Sequence, residues 1–420
     1  MIPSQYDETS SRSIRQKTCV DNWVKNKCIG TIVAATGFGK TNIGLMAIKR
    51  FLAKNPNRKV LIVVPSDPIK IQWENKLKEL NLNAEVKTMY ITSHLESECD
   101  LLIIDEVHKI AAPTLYSTFE NIKYKIILGL TATFERLDGR DILLSKHAPV
   151  IDEVTITESI ENNWLSDYRE YLILITPDDI EEYNKINKEF IEHFSYFDYN
   201  FNTAMKMATD WKARANLARK KSNSPDDFKN INKQILIHAM GFSRTLQARK
   251  KYINNHPKKI ELTNLILENR QNKKCITFSA TIAMAEKIKY GKVYSGKDSA
   301  KKGRITLAEF INQDTGVVNS IAKLNEGFDD PSLSVAIILG MNSSKTVKKQ
   351  RLGRVLRHQE GKTVEIFNLV LKGTVEEQWF YNSTTSDKYI TIDEDNLQLV
   401  LNGKKPNTKK NKETKMLFRF

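Results

Sequence analysis

Two series of short apolar runs restrict the folds open to this chain more than any other feature. The first series is TIVAAT (31–36), KVLIVVPS (59–66), LLIIDEVH (101–108) and KIILGLTAT (125–133). The second is KCITFSAT (274–281), VVNSIAK (317–323), VAIILG (335–340) and VEIFNLV (364–370). Runs this short, with no alternating polar face, read as strands buried on both sides. Helical patterns separate them. In DPIKIQWENKLKEL, Asp67 is expected as N-cap and Pro68 as the first helical residue, with Ile69, Trp73, Leu77 and Leu80 on one face. Strands alternating with helices imply an α/β fold with parallel sheets. The two series imply two such blocks, expected over residues 1–170 and 258–400.

The stretch between, 171–257, reads as a helical insertion. TPDDIEEYNKINKEFIEHF is expected to open with Thr176 as N-cap, Pro177 in the first turn and Asp179 closing a capping box. Ile180, Tyr183, Ile186, Phe190 and Phe194 then recur at helical spacing. The aromatics Phe190, Phe194, Tyr196, Phe197, Tyr199 and Phe201 either form a core or stack on bases. The basic, turn-rich tail 401–420 reads as a solvated end, and its Met416, Leu417 and Phe418 could dock on a protein partner.

VAATGFGKT (33–41) fits the phosphate-cradling pattern G-x-x-x-x-G-K-[ST] at Gly39, Lys40 and Thr41. Its first position is Ala34 instead of glycine. The context is the required one, a buried strand, a loop and a helix. Backbone N–H groups of Thr36, Gly37, Phe38, Gly39, Lys40 and Thr41 are expected to line the phosphates at the helix N-terminus. Gly37 and Gly39 let the backbone approach closely. Lys40 would reach the β- and γ-phosphates of ATP, and the Thr41 hydroxyl would hold Mg²⁺.

LLIIDEVH places Asp105 and Glu106 at the end of an apolar strand. Asp105 is expected to bind Mg²⁺, and Glu106 to act as general base on the attacking water. In QRLGRVLR (350–357), Arg354 and Arg357 would share one face of a helix, two guanidiniums suited to the charge of a γ-phosphate in flight. They belong to the second block, so the nucleotide would sit between two lobes.

Composition agrees with a polyanionic partner. Lys and Arg outnumber Asp and Glu by 65 to 50, a net charge of +15. Apolar residues make up 40 %, enough for real cores. Four cysteines (Cys19, Cys28, Cys99, Cys275) form no C-x-x-C pair, which argues against zinc and suits a reducing compartment. MIPSQYDETSSRSIRQK has no apolar core of signal length, and no stretch approaches the roughly 18 apolar residues of a membrane span. A cytoplasmic protein is expected, in the host cytoplasm if the source is viral.

The ordered set ATGFGKT, DEVH, TAT (131–133), NEGFDDP (325–331) and QRLGRVLR resembles the superfamily 2 helicases over about residues 12–380. The resemblance implies two tandem RecA-like lobes and ATP-driven movement on nucleic acid. It implies that Gln16 reads adenine, although RSIRQK departs from the usual L-R-x-Y-Q. His108 and Gln350 would relay between nucleotide and lobe interface, and Thr131 and Thr133 would couple hydrolysis to movement. Gly327 and Asp329 would contact nucleotide or position Arg354. Strand contacts would come from Pro65, Ser66, Thr92, Arg136, Ser279 and Ser320.

GLTATFERLDG and KGTVEEQWF are similar to segments of XPB-like and phage recombination helicases, including the T4- and T5-type branch-migration enzymes. Arg136 and Asp138 match their R-E-D element, while Leu137 departs from it. This implies DNA as partner, forked or branched, gripped by its backbone with 3′→5′ polarity. An RNA-remodelling ATPase and the motor subunit of a restriction-type system are the alternatives. A catalytically dead motor is disfavoured, since Lys40, Asp105, Glu106, Arg354 and Arg357 are all present.

Overall fold

The computed structural model describes residues 9–136, 139–295, 300–321, 330–341, 344–384 and 388–406. Leu137, Asp138, Gly327, Asp329 and the tail residues Met416–Phe418 lie outside this set.

Six parallel strands form the first sheet: β1 (Ile29–Ala34), β2 (Val60–Val64), β3 (Glu85–Thr88), β4 (Ser97–Asp105), β5 (Ile122–Thr131) and β6 (Val150–Val154), in the order β3-β2-β4-β5-β1-β6. Seven make the second: β7 (Asp167–Ile175), β8 (Lys274–Ser279), β9 (Lys292–Tyr294), β10 (Gly316–Ile321), β11 (Leu333–Ile338), β12 (Thr363–Leu371) and β13 (Tyr389–Ile392), in the order β13-β7-β12-β11-β8-β10-β9. These are two parallel-sheet α/β lobes. Each apolar run of the sequence lies on a central strand, because only a strand covered by helices on both faces needs apolar residues throughout.

β7 straddles the expected boundary at residue 170. It pairs in parallel with β12 along its whole length, from Thr363↔Asp167 to Leu371↔Ile175. Its second half, YLILI, is largely buried, so the chain enters the second sheet before the insertion begins. The second lobe is therefore assembled from segments on either side of the insertion.

The helix Asp67–Glu79 is capped by extended Ser66, with Asp67 already inside its first turn, one residue earlier than expected. Trp73 and Leu77 are its buried residues, whereas Leu80 ends the helix and is exposed.

The insertion is helical: Ile180–Ser195, Phe201–Thr209, Trp211–Lys221 and the 31-residue Pro225–Asn255. No capping box forms around Thr176. The first helix starts at Ile180, the Thr176 amide donates to Glu394, and the Asp179 carboxylate accepts from Tyr252 at 2.7 Å. His256 Nε2 lies 3.3 Å from the same carboxylate, so the two ends of the insertion are tied together. Phe190 and Phe197 pack with Phe242 in the insertion's own core, and Phe194 and Tyr196 cover it. Tyr199 and Phe201 stay exposed. Among the described residues, no helix is long and apolar enough to cross a membrane.

Candidate nucleotide site between the two lobes

β1 ends at Ala34, which pairs with Val154 and has no positive φ. The first position of the phosphate-loop pattern is thus an ordinary strand residue, and alanine meets its needs. The loop that follows turns through Gly37 at φ +93° and passes Gly39, the N-cap of helix Lys40–Leu52. Its carbonyls are tied back to an earlier helix, Ser11–Lys25. Arg12 donates to the carbonyls of Gly37 and Phe38, and Gln16 Nε2 donates to the Phe38 carbonyl at 2.7 Å. The Phe38 ring is buried against Trp164, with centroids 5.2 Å apart. These anchors leave the amides at the helix N-terminus facing forward, a ready anion site. Thr36 Oγ1 is buried there without a hydrogen-bond partner.

β4 delivers the acidic pair. Trp73 Nε1 donates to Asp105 Oδ2 at 3.0 Å, and the Glu106 amide donates to Oδ1 at 3.0 Å. Burial and the adjacent Glu106 carboxylate push Asp105 up to about 6. A buried acid so disfavoured as an anion suits a position completed by a cation. Glu106 itself holds a left-handed backbone, φ 53° and ψ 50°, which costs a non-glycine residue about 1–3 kcal/mol and recurs at functional sites. That twist aims its carboxylate at Lys40 Nζ (3.5 Å), His108 Nδ1 (3.4 Å) and Thr131 Oγ1 (3.4 Å). Burial opposes its ionisation, but Lys40 and the nearby basic groups outweigh it, so Glu106 is held below the usual carboxylate range. Burial pushes His108 down to about 4, so its ring is neutral near pH 7 and shares a 2.8 Å hydrogen bond with Thr131.

The second lobe closes the site. Helix Lys345–Val355 carries Gln350, which is buried, and Arg354 in its last turn. Arg357 lies beyond the helix, since Leu356 is the C-cap. The expected shared helix face is therefore replaced by a helix end followed by a short bridge between Leu165 and Arg357. This segment lies directly on the phosphate loop. A Cβ on Gly353 would sit 2.1 Å from Thr36 Cβ, and a Cβ on Gly37 would sit 3.1 Å from the Gly353 carbonyl oxygen and 3.5 Å from Arg357 Cδ. The approach needs glycine on both sides. A second cross-lobe link joins Thr133 Oγ1 to Thr346 Oγ1 at 3.0 Å. Arg136 donates to the His108 carbonyl at 2.6 Å, so it braces the acidic turn. The structure thus gathers Lys40, Glu106, His108, Thr131, Thr133, Thr36, Gly37 and Arg357 at the contact between the two lobes. Arg351, in the same motif as Arg354, does a different job. It is buried, donates to the Gly340 carbonyl and lies over the Phe278 ring.

Several contributors carried no readable sequence signal. Trp73 looks like an ordinary core residue of an amphipathic helix, Arg12 like a surface charge, and Thr346 like a helix start. Their roles come from contacts between distant elements.

The expected strand-binding residues divide. Pro65 and Ser66 follow β2, Ser279 ends β8, and Ser320 lies in β10 opposite Phe278. The hydroxyls of Ser66, Ser279 and Ser320 are buried without hydrogen-bond partners. All three lie toward the carboxyl ends of parallel strands, where open α/β sheets bind ligands. Thr92 differs. It is fully buried and its hydroxyl is 3.1 Å from the Met89 carbonyl, so it closes a turn and cannot reach a strand.

Comparison with known proteins is consistent with this geometry. Residues 5–99 and 90–136 match the family described as "Type III restriction enzyme, res subunit", and residues 257–359 match "Helicase conserved C-terminal domain". The chain is 24 % identical over 385 residues to "DNA 3'-5' translocase XPB2" of Sulfurisphaera tokodaii, covering 86 % of this chain and 82 % of that protein. It is 24 % identical to "Putative helicase 22" of Sulfolobus islandicus filamentous virus, covering 83 % of this chain and 62 % of that one. In fold it resembles the Hef helicase domain of Pyrococcus furiosus (TM-score 0.54, 17 % identity, 88 % of this chain and 97 % of that one). It also resembles S. cerevisiae Dbp5 bound to RNA and ADP BeF3 (TM-score 0.57, 11 % identity, 92 % and 91 %). The two family models together span more than half of the chain, which is a superfamily 2 helicase, an ATP-hydrolysing enzyme with two RecA-like lobes, and it is similar to an XPB-type translocase.

Proposed function

We propose that this helicase is a DNA motor that hydrolyses ATP in the cleft between its lobes and moves along the sugar–phosphate backbone of forked or branched DNA. The observation that carries the reading is the seating of Gly353 and Arg357 of one lobe on Thr36 and Gly37 of the other. A triphosphate in the loop would touch both halves of the molecule at once.

The Phe38 amide donates to the Ala35 carbonyl at 3.0 Å, so the remaining amides of residues 36–41 would cradle the phosphates, and Lys40 would leave Glu106 for the β- and γ-oxygens. That exchange frees Glu106 to orient and deprotonate the attacking water. Thr41 and Asp105 would hold Mg²⁺, which offsets phosphate charge when bound. The fit is supported by the buried, hard-to-ionise Asp105. Arg354 and Arg357 would stabilise the charge that builds on the γ-phosphoryl group. Loss of that group would remove the bridge between lobes, and the Thr133–Thr346 contact would pass the opening to the rest of the second lobe. In this reading the first lobe ends near the start of β7, the insertion has a helical core of its own but roots in the second lobe through Tyr183 and Ile253, and the second lobe takes β7 to β13.

Gripping through Ser66, Ser279 and Ser320 involves phosphate and sugar and reads no bases. Similarity to a DNA translocase favours DNA. RNA is the second reading, favoured by the 32 % identity over 139 residues to "Putative ATP-dependent RNA helicase QP509L" of African swine fever virus, a match covering 27 % of this chain. ATPase and strand-displacement assays on fork, bubble, Holliday junction and RNA duplex separate the two. Stimulation by forked DNA well above RNA is expected; stimulation by RNA alone would overturn the DNA reading.

A further inference from the structure

The arginine placed at the phosphate loop lies just past a helix end, where the backbone has lost its helical hydrogen bonds. Something else must hold it. The segment Trp164–Ser166, which crosses from the first lobe to the second, makes the required contacts. Trp164 packs on Phe38 of the phosphate loop and donates from Nε1 to Ser11 Oγ at 2.9 Å. The Leu165 Cδ2 atom lies 3.0 Å from where a Cβ on Gly37 would be, and Leu165 bridges Arg357 through the backbone. The Ser166 amide donates to the Leu356 carbonyl at 2.9 Å, and its hydroxyl donates to the Arg357 carbonyl at 2.9 Å. The Gln359 amide donates back to that hydroxyl at 3.3 Å. Ser166 is 3 % exposed, so water does not compete for these bonds.

Four residues farther on, Glu170 lies in β7. It accepts from Lys348 Nζ at 2.7 Å and from Asn368 Nδ2 at 3.0 Å. Lys348 belongs to the helix that ends at the arginines. The stretch Ser166–Glu170 thus holds both the body of that helix and the residues beyond its end, while the residues just before it press on the phosphate loop.

We infer that Ser166 is a positioning residue for Arg357, and that the crossover Trp164–Ser166 sets the arginine's distance from the phosphate loop. This rests on the reading above in which Arg357 acts on the γ-phosphoryl group. The Ser166 hydroxyl fixes the Arg357 carbonyl, and the backbone bridge at Leu165 fixes its register. Trp164 ties both to the loop that carries the phosphates. Without the hydroxyl the Arg357 backbone gains freedom, and a guanidinium displaced by about 1 Å loses on the order of 100-fold of its effect.

The test is ATP hydrolysis at saturating forked DNA by S166A, by S166C, which keeps the volume but donates weakly, and by S166T, which keeps the hydroxyl. Each is made alone and, for S166A, with R357A. ATP affinity and thermal melting are measured on the same samples. S166A and S166C are expected to lose at least about tenfold in kcat with KM for ATP within about twofold. S166T should regain most of the rate, and S166A should cost nothing further in the R357A background, because residues acting as one unit are non-additive. Parent-level kcat in both S166A and S166C, or an equal loss with and without Arg357, overturns the inference. R357A at the parent rate would instead remove the arginine's assigned role, a distinct result visible in the same set. If S166A does not fold, S166C alone and paired with R357A supplies the comparison.

Discussion

Glu106 shows how the site is prepared at the scale of one residue. Its strained backbone and its salt bridge to Lys40 hold a carboxylate in place before any nucleotide arrives. Lys40→Ala and Glu106→Gln are expected to reduce nucleic-acid-stimulated ATP hydrolysis by at least about 100-fold while DNA binding, measured by fluorescence anisotropy, stays intact. A variant hydrolysing at the parent rate would discard the role of that residue. Gly353 gives a second prediction. Gly353→Ala places a methyl against Thr36, an overpacking expected to cost about 1–3 kcal/mol of lobe closure. The kcat for ATP should fall at least about tenfold while the melting temperature of the separate lobes changes little. Unchanged kcat would mean that the contact is not made during turnover. The glycine was visible in QRLGRVLR, but its reason was not, since the atom it avoids belongs to residue 36.

Elements were legible where their burial was two-sided. The central strands and the loop-to-helix transition at Gly39–Lys40 follow from apolar runs and one motif. β3, β6, β9 and β13 escaped because edge strands are half polar and their alternation is short. β7 escaped because its partner β12 lies almost 200 residues away, and nothing local marks a strand that serves the second sheet. Arg357 was misplaced on a helix for a similar reason, as its bridge partner Leu165 comes from the other side of the insertion.

The first helix, Ser11–Lys25, docks through Arg15, which makes a two-bond pair with Asp152, itself also bonded by Asn22. Burial raises the Asp152 carboxyl, but the Arg15 and Asn22 bonds outweigh it, so its folded pKa lies below the ordinary 3.8. The stabilisation is thus present above about pH 4 and lost as pH falls through the folded value. Asp152→Asn should cost about 1–3 kcal/mol in urea unfolding at neutral pH, and the difference from the parent should vanish in acid. A pH-independent difference would remove the ion pair as its cause. Tyr183 and Ile253 pack in the core of the second lobe and Tyr252 ties the ends of the insertion, so only the helical stretch between them, about residues 186–248, is predicted to be replaceable by a short glycine linker. Unwinding should then fall far more than ATPase; equal loss of both would make the insertion part of the motor core.

For the whole molecule, the loops that follow β1 and β5 of the first sheet meet helix Lys345–Val355 and Arg357 of the second lobe, and the chain carries a net charge of +15. Backbone-only grip predicts weak sequence preference and a steep fall of DNA affinity with salt. A flat salt profile would contradict it. The central claim is that the nucleotide pocket is shared, with its lysine from the first lobe and its arginines from the second. The most direct test is the steady-state ATPase of Arg357→Ala at saturating ATP and forked DNA. The shared pocket predicts a kcat lower by about 10³-fold or more with ATP affinity nearly unchanged. Hydrolysis at the parent rate would contradict it.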